Sequence, residues 1–203
     1  MTDRQAGLEA AANGINPASL QAARSAVAAS CREYLRWAEI FSLRLETVKP
    51  EEMHKFARAF CLTLLGHLPT RPGTCPFCIQ YGHDKSCRGC GYAATHGRCD
   101  SENSDFSIFI EAFQELGWAI YRDIECRPAD HPQAEQIVRR TISATKEQAL
   151  RMAEEMQGCE TMQLMMLKAM YLEGMVKLLP LSLLSAEVEV RALRVKDALK
   201  RYW

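Results

Sequence analysis

Between the Asn16-Pro17 dipeptide and Val48 the chain carries no further Pro or Gly. Its apolar residues Leu20, Val27, Cys31, Tyr34, Ala38, Phe41, Leu45 and Val48 recur at spacings of three and four, with Arg24 filling one slot. That stripe predicts a single amphipathic helix of about 30 residues, roughly 45 Å long at 1.5 Å per residue. Asn16 is its expected cap and Pro17 suits its first turn. Pro50 opens a second helix, to about residue 68, with Met53, Phe56, Ala57, Phe60 and Leu64 facing inward; the short connection makes it an antiparallel neighbour.

Helical patterning returns at Ser104-Asp105 and runs through Phe106, Phe109, Ile110, Phe113, Leu116, Ile120 and Ile124, ending before Pro128, with Ser104 as the cap. Residues 132–179 form the longest patterned stretch, about 70 Å if unbroken. A bend near Gly158, or a restart at Thr145 (which opens a Thr-x-x-Gln capping box), is therefore expected. Pro180 stops it. Ser182 or Ser185 then caps a last helix carrying Val188, Ala192, Val195 and Leu199. The pattern predicts an all-α fold: one domain over residues 1–203, an antiparallel bundle of five to six helices.

Residues 69–103 differ in kind. They hold three of the eight prolines, five of the eleven glycines and five of the nine cysteines, and no helical stripe runs through them. They read as an irregular Cys-rich insertion between the second and third helices, too short to own a core.

Charge narrows the function. Twenty-five Lys+Arg balance twenty-five Asp+Glu in 203 residues, which argues against a protein built mainly to grip nucleic acid. No stretch of about 18 apolar residues exists to span a membrane. Met1-Thr-Asp-Arg-Gln lacks the basic-then-apolar profile of a secretory signal, so a cytoplasmic location is expected.

In that compartment clustered cysteines point to metal rather than disulfides. Cys75-Pro-Phe-Cys78 is followed after eight residues by Cys87-Arg-Gly-Cys90 and, after eight more, by Cys99. Two thiolates two residues apart point the same way only across a tight turn, whose N–H groups then face the sulfurs. Pro76 presets φ in the first turn; Gly89 and Gly91 allow positive φ and close approach in the second. Two such knuckles supply four sulfurs for a tetrahedral ion. The short stretch resembles the knuckles of zinc ribbons, though its spacer is shorter than a ribbon loop. The expected ligands are Cys75, Cys78, Cys87, Cys90 and Cys99, with zinc as the expected ion and a [4Fe–4S] cluster as the alternative. His96 opens a Cys3His variant with Cys87, Cys90 and Cys99. A zinc with four protein ligands is structural, and its binding energy would fold the insertion. Cys31, Cys61, Cys126 and Cys159 lie on helical stripes and read as small buried hydrophobes.

Other candidates are weaker. Glu51-x-x-His54 has di-iron spacing but no second copy. Seven of the nine methionines fall between Met152 and Met175, and 152, 156, 162, 166 and 170 keep roughly to one face, which reads as core or subunit interface before it reads as a binding groove. Arg191, Arg194, Lys196, Lys200 and Arg201 suit a helix C-terminus, with an anionic partner as the alternative. His67, His83, His96 and His131 sit in no triad-like signature, and no phosphate-cradling or dinucleotide motif occurs, so no reaction can be named.

Three functions follow. The first is a non-enzymatic interaction, regulatory or assembly protein with a structural zinc, binding a protein partner or forming a homodimer through its long amphipathic helices. The second is an iron–sulfur redox protein or electron-transfer subunit using the same cysteines. The third is a thiol switch, in which oxidation ejects zinc and Arg88 and Arg98 quicken the thiolates.

Overall fold

The computed structural model describes residues 3–82, 87–124 and 133–202, with side chains from residue 6 onward. Among these residues every regular element is helical and no strand forms. Nine α helices are described: α1 Asp3–Asn13, α2 Pro17–Leu45, α3 Met53–Gly66, α4 Pro76–Tyr81, α5 Gly91–His96, α6 Asp105–Arg122, α7 Ala134–Glu155, α8 Thr161–Lys177 and α9 Ala186–Tyr202. Short 3-10 turns occupy Pro50–Glu52, Pro72–Thr74, Met156–Gly158 and Leu181–Leu183.

The expected five to six long helices are present, and three shorter ones join them. α1 shows no apolar stripe; among its described side chains, from Ala6 onward, it buries Leu8 and Ala12, followed by Ile15 in the link to α2. α4 and α5 have six residues each, fewer than two turns, so periodicity could not reveal them.

α2 starts where its cap dictates. Asn16 is extended (φ −71°, ψ 153°) and its side-chain oxygen accepts the N–H of Ser19 at 2.8 Å. Leu20, Ala23, Val27, Cys31, Tyr34, Ala38 and Leu45 are buried, and much of this face meets α7. The Tyr34 hydroxyl donates to Thr145 Oγ1, Lys146 pairs with Glu39, and Arg139 lies 4.0 Å from Glu46. From Tyr34–Thr145 to Glu46–Arg139 the residue numbers rise on α2 and fall on α7, so the pair is antiparallel. The long stripe is thus covered within one chain, and its length alone does not call for a second copy.

The stretch from 134 to 177 breaks at Met156–Gly158, as the bend near Gly158 anticipated. Thr145 does not restart it. Its hydroxyl donates to the carbonyls of Thr141 and Ile142, the back-bonding open to a threonine inside a helix. α8 is instead capped by a box between Glu160 and Gln163. Because the helix breaks, the methionines do not share one face. Met152, Met156, Met165 and Met175 are buried, whereas Met166 and Met170 are exposed.

α6 begins at Ser104, whose Oγ accepts the N–H of Ser107 at 3.0 Å. It lies antiparallel to α9: Phe106 and Phe109 meet Tyr202, while Glu115 takes 2.7 Å ion pairs from both Arg191 and Arg194. Those two arginines are therefore engaged inside the molecule. Asp123, just past α6, joins three elements: its Oδ2 lies 3.4 Å from His54 Nε2 on α3 and accepts the N–H of Ser185 at 3.0 Å, at the start of α9. Glu51 is exposed, so His54 serves this strut and no Glu-x-x-His site forms.

Residues 69–82 and 87–103 do not hang off the helices as a coreless excursion. Phe77 and Tyr92 are almost wholly buried in the same core as the long helices. At about 1.5–3 kcal/mol for a large buried side chain, these two rings anchor the segment without its own core. α4 packs on α2 and α5 on α1. Gln80 bonds both sides of the α1–α2 link, accepting from Asn16 N at 2.7 Å and donating to Gly14 O at 2.9 Å. Tyr92 donates its hydroxyl to the Tyr202 carbonyl at 2.7 Å, tying α5 to the end of α9.

Candidate metal centre

The two CxxC turns are built differently. In the first, Cys75 is extended (φ −114°, ψ 118°) and sits at the N-cap of α4, with Pro76 at the first helical position, so Cys78 rides on the helix's first turn. In the second, Cys87 takes a left-handed conformation (φ 50°) and Gly89 another (φ 77°), closing a turn in which Cys90 N donates to Cys87 O at 3.1 Å. Cys90 then stands at the N-cap of α5. Gly91 does not take positive φ, and its close approach is to α1 rather than within the turn: a Cβ there would overlap Ala11.

Cys75, Cys78 and Cys99 line one small cavity of about 10 Å³, room for roughly one water-sized sphere. Its walls also include Arg71, Tyr92, Met165, Lys168 and Tyr202. Cys78 is within hydrogen-bonding reach of both Cys75 and Cys99, and Cys90 adjoins Cys75 and Cys87 electrostatically. The hydrogen bond to Cys78, reinforced by burial, holds the Cys75 thiol well above its ordinary value. At Cys78 the bond to Cys75 favours the thiolate, but the bond to Cys99 and burial outweigh it and push the thiol up to about 12. Burial raises Cys90 as well, against main-chain N–H groups of Ala93 and Tyr92 that favour its thiolate. These N–H groups fall short of full capping hydrogen bonds.

Raised in this way, the Cys75, Cys78 and Cys90 thiols are protonated at neutral pH when no ion holds them, and protonated thiols are poor nucleophiles. A metal would have to displace those protons. Among the described residues, no group of three or more His, Cys, Asp or Glu side chains stands ready to hold an ion. The sulfurs are soft donors of the kind zinc and iron–sulfur clusters take, three of them lining one small cavity but not converged on a point. The donor set fits such a group in its chemistry; the positions of the sulfurs do not by themselves form a site.

His96 is 5% exposed, stacks on Tyr92 at 4.2 Å between ring centroids, and has Nδ1 2.7 Å from Thr95 Oγ1. It is absent from the residues lining the thiol cavity. Cys31, Cys61 and Cys159 are buried away from the cluster. Cys126, His83 and His131 lie outside the described residues. Arg98 pairs with Asp100 at 2.7 Å on the exposed surface.

The buried cation that faces the thiols is Lys168, which the sequence presents only as a polar interruption of an apolar run; Arg71, also at the cavity wall, is exposed. It is 1% exposed on α8, and its Nζ donates to Thr74 O at 3.2 Å and Thr74 Oγ1 at 3.0 Å. Burial pulls its ammonium below the usual lysine value, while Cys75, Cys78 and Cys99 work the other way. Tyr202 lies 6.0 Å from Nζ at its ring centroid, and its phenol, also buried, is pushed well above the ordinary tyrosine value. Compared with known proteins, the chain matches no family model, no curated protein and no solved structure.

Proposed function

We propose that this is a zinc-binding helical protein in which a closed thiolate site serves structure, and that its task is non-enzymatic: interaction, regulation or assembly. One observation carries the reading, the gathering of Cys75, Cys78 and Cys99 around a single ion-sized cavity with Cys90 beside Cys75. These four would hold the ion, leaving Cys87 to shape the second turn. With every position filled by protein, no site remains open for substrate, which is why the role assigned is structural. The long helices would form a bundle around this centre, in the cytoplasm, with a second copy or another protein as partner.

Metal analysis with native mass spectrometry tests this directly. The expected result is about one zinc per chain, lost in Cys78→Ser and Cys90→Ser and kept in Cys31→Ser. A chain that retains no metal, or a Cys31→Ser variant that loses it equally, overturns the reading. Iron with acid-labile sulfide would replace it by the iron–sulfur alternative. The same spectrum tests the homodimer.

A second reading has its own support, because Cys78 has a thiol neighbour on either side. Under a peroxide, the zinc-bound thiolates of Cys78 and of Cys75 or Cys99 would form a disulfide, giving two electrons to the O–O bond, which breaks to water with protons from solvent; the ion, having lost two ligands, would leave. Peroxide-driven loss of thiols without release of zinc removes that reading.

A further inference from the structure

Lys168 poses a problem that its hydrogen bonds do not solve. An ammonium 1% exposed has two acceptors here, both on Thr74, and a tyrosine face 6.0 Å away. Among the described residues no carboxylate pairs with it. Burying a charge without an opposite one costs several kcal/mol even after relaxation, and a methionine or leucine of similar volume would fill the same place at lower cost. Neighbours on α8 are of that kind: Leu164, Met165, Leu172, Met175 and Val176 are all buried.

Besides the phenols of Tyr92 and Tyr202, the latter held neutral by burial, the groups sharing the cavity with Lys168 that can carry negative charge are Cys75, Cys78 and Cys99. A divalent ion with four thiolates has a net charge of about −2, and a buried dianion needs a buried cation as much as Lys168 needs an anion. Thr74 adds a second link. It immediately precedes Cys75, and its hydroxyl lies 2.8 Å from Pro69 O and 2.7 Å from Arg71 O. The ammonium thus grips the turn that delivers the first ligand.

Resting on the thiolate centre proposed above, we infer that Lys168 is its internal counter-charge: a positioning residue that compensates the loaded site and fixes the Thr74-Cys75 turn. It belongs to the surroundings of the ligands, whose loss typically costs 10- to 100-fold in metal affinity.

Cobalt(II) titration of the reduced, metal-free full chain, followed by its sulfur-to-metal charge-transfer absorption, is the test. Lys168→Met removes the charge and keeps the volume; Lys168→Gln removes the charge and keeps a donor for Thr74; Lys168→Arg keeps the charge. Met and Gln should bind cobalt about 10- to 100-fold more weakly, with an unchanged absorption per bound ion. Arg should stay closer to wild type than either. Should Lys168→Met fail to fold, Lys168→Gln carries the same comparison. Wild-type affinity in Met or Gln overturns the assignment and leaves Lys168 a strut to Thr74. An Arg variant that folds normally yet binds as weakly as Met overturns it too. A wild-type chain that takes up no cobalt removes the centre itself and this assignment with it.

Discussion

The seam between α2 and α7 and the cavity beneath α4 and α5 solve the same problem of burial in opposite ways. Along the seam the interior is apolar, and its one buried polar contact is closed: Tyr34 donates to Thr145, whose own hydrogen goes back to its helix. Charges stay at the rim, as in Lys146–Glu39 and Arg139–Glu46. Around the cavity the interior holds an ammonium, several thiols and two tyrosines. The seam is complete as it stands. The cavity is a set of polar groups that, on the zinc proposal, an ion would satisfy; one half of the molecule would then be finished by folding and the other by binding.

Removing metal should therefore separate them. With a strong chelator under reducing conditions, amide exchange in residues 72–81 and 90–99 should accelerate by at least 10-fold, while residues 20–45 and 138–152 stay protected. Equal loss of protection in both regions would show that they are one cooperative unit. Gly91→Ala strikes the cavity side without touching a sulfur. Its Cβ would overlap Ala11, so α1 and α5 must part, at a cost of about 1–3 kcal/mol. A thermal melt reads the loss, and an unchanged midpoint would mean that α1 contributes little. Tyr34→Phe is the mildest test: it removes one buried hydrogen bond from the seam, worth about 1 kcal/mol, and should leave bound metal unaltered.

What the sequence discloses follows the same division. α2, α3 and α6 are legible because each spans several turns of a regular stripe and two begin at a strong cap, Asn16 and Ser104. Thr145 misleads because Thr-x-x-Gln describes a helix start only when the threonine hydroxyl faces free N–H groups; inside α7 it turns to carbonyls instead. α1 is hidden because part of its partner surface is the bare backbone of Gly91, 80 residues away in a segment without pattern. Lys168 is hidden for a related reason: its acceptor, Thr74, is 94 residues distant. The cysteine spacing does reveal which thiols to watch, and Cys75, Cys78 and Cys99 prove to be neighbours. It does not reveal that Met165, Lys168 and Tyr202, from the last two helices, complete the cavity's walls.

That shared construction has a consequence for the order of events on the ribosome. The cysteines emerge first; Lys168 follows Thr74 by 94 residues and Tyr202 follows Tyr92 by 110. Until α8 and α9 emerge, the nascent thiols lack the walls that Met165, Lys168 and Tyr202 supply. Once α8 and α9 arrive, the chamber left, about 10 Å³, is too small to admit a hydrated ion. On the zinc proposal, loading would come either before the roof closes, on a half-made chain, or afterwards through a transient opening.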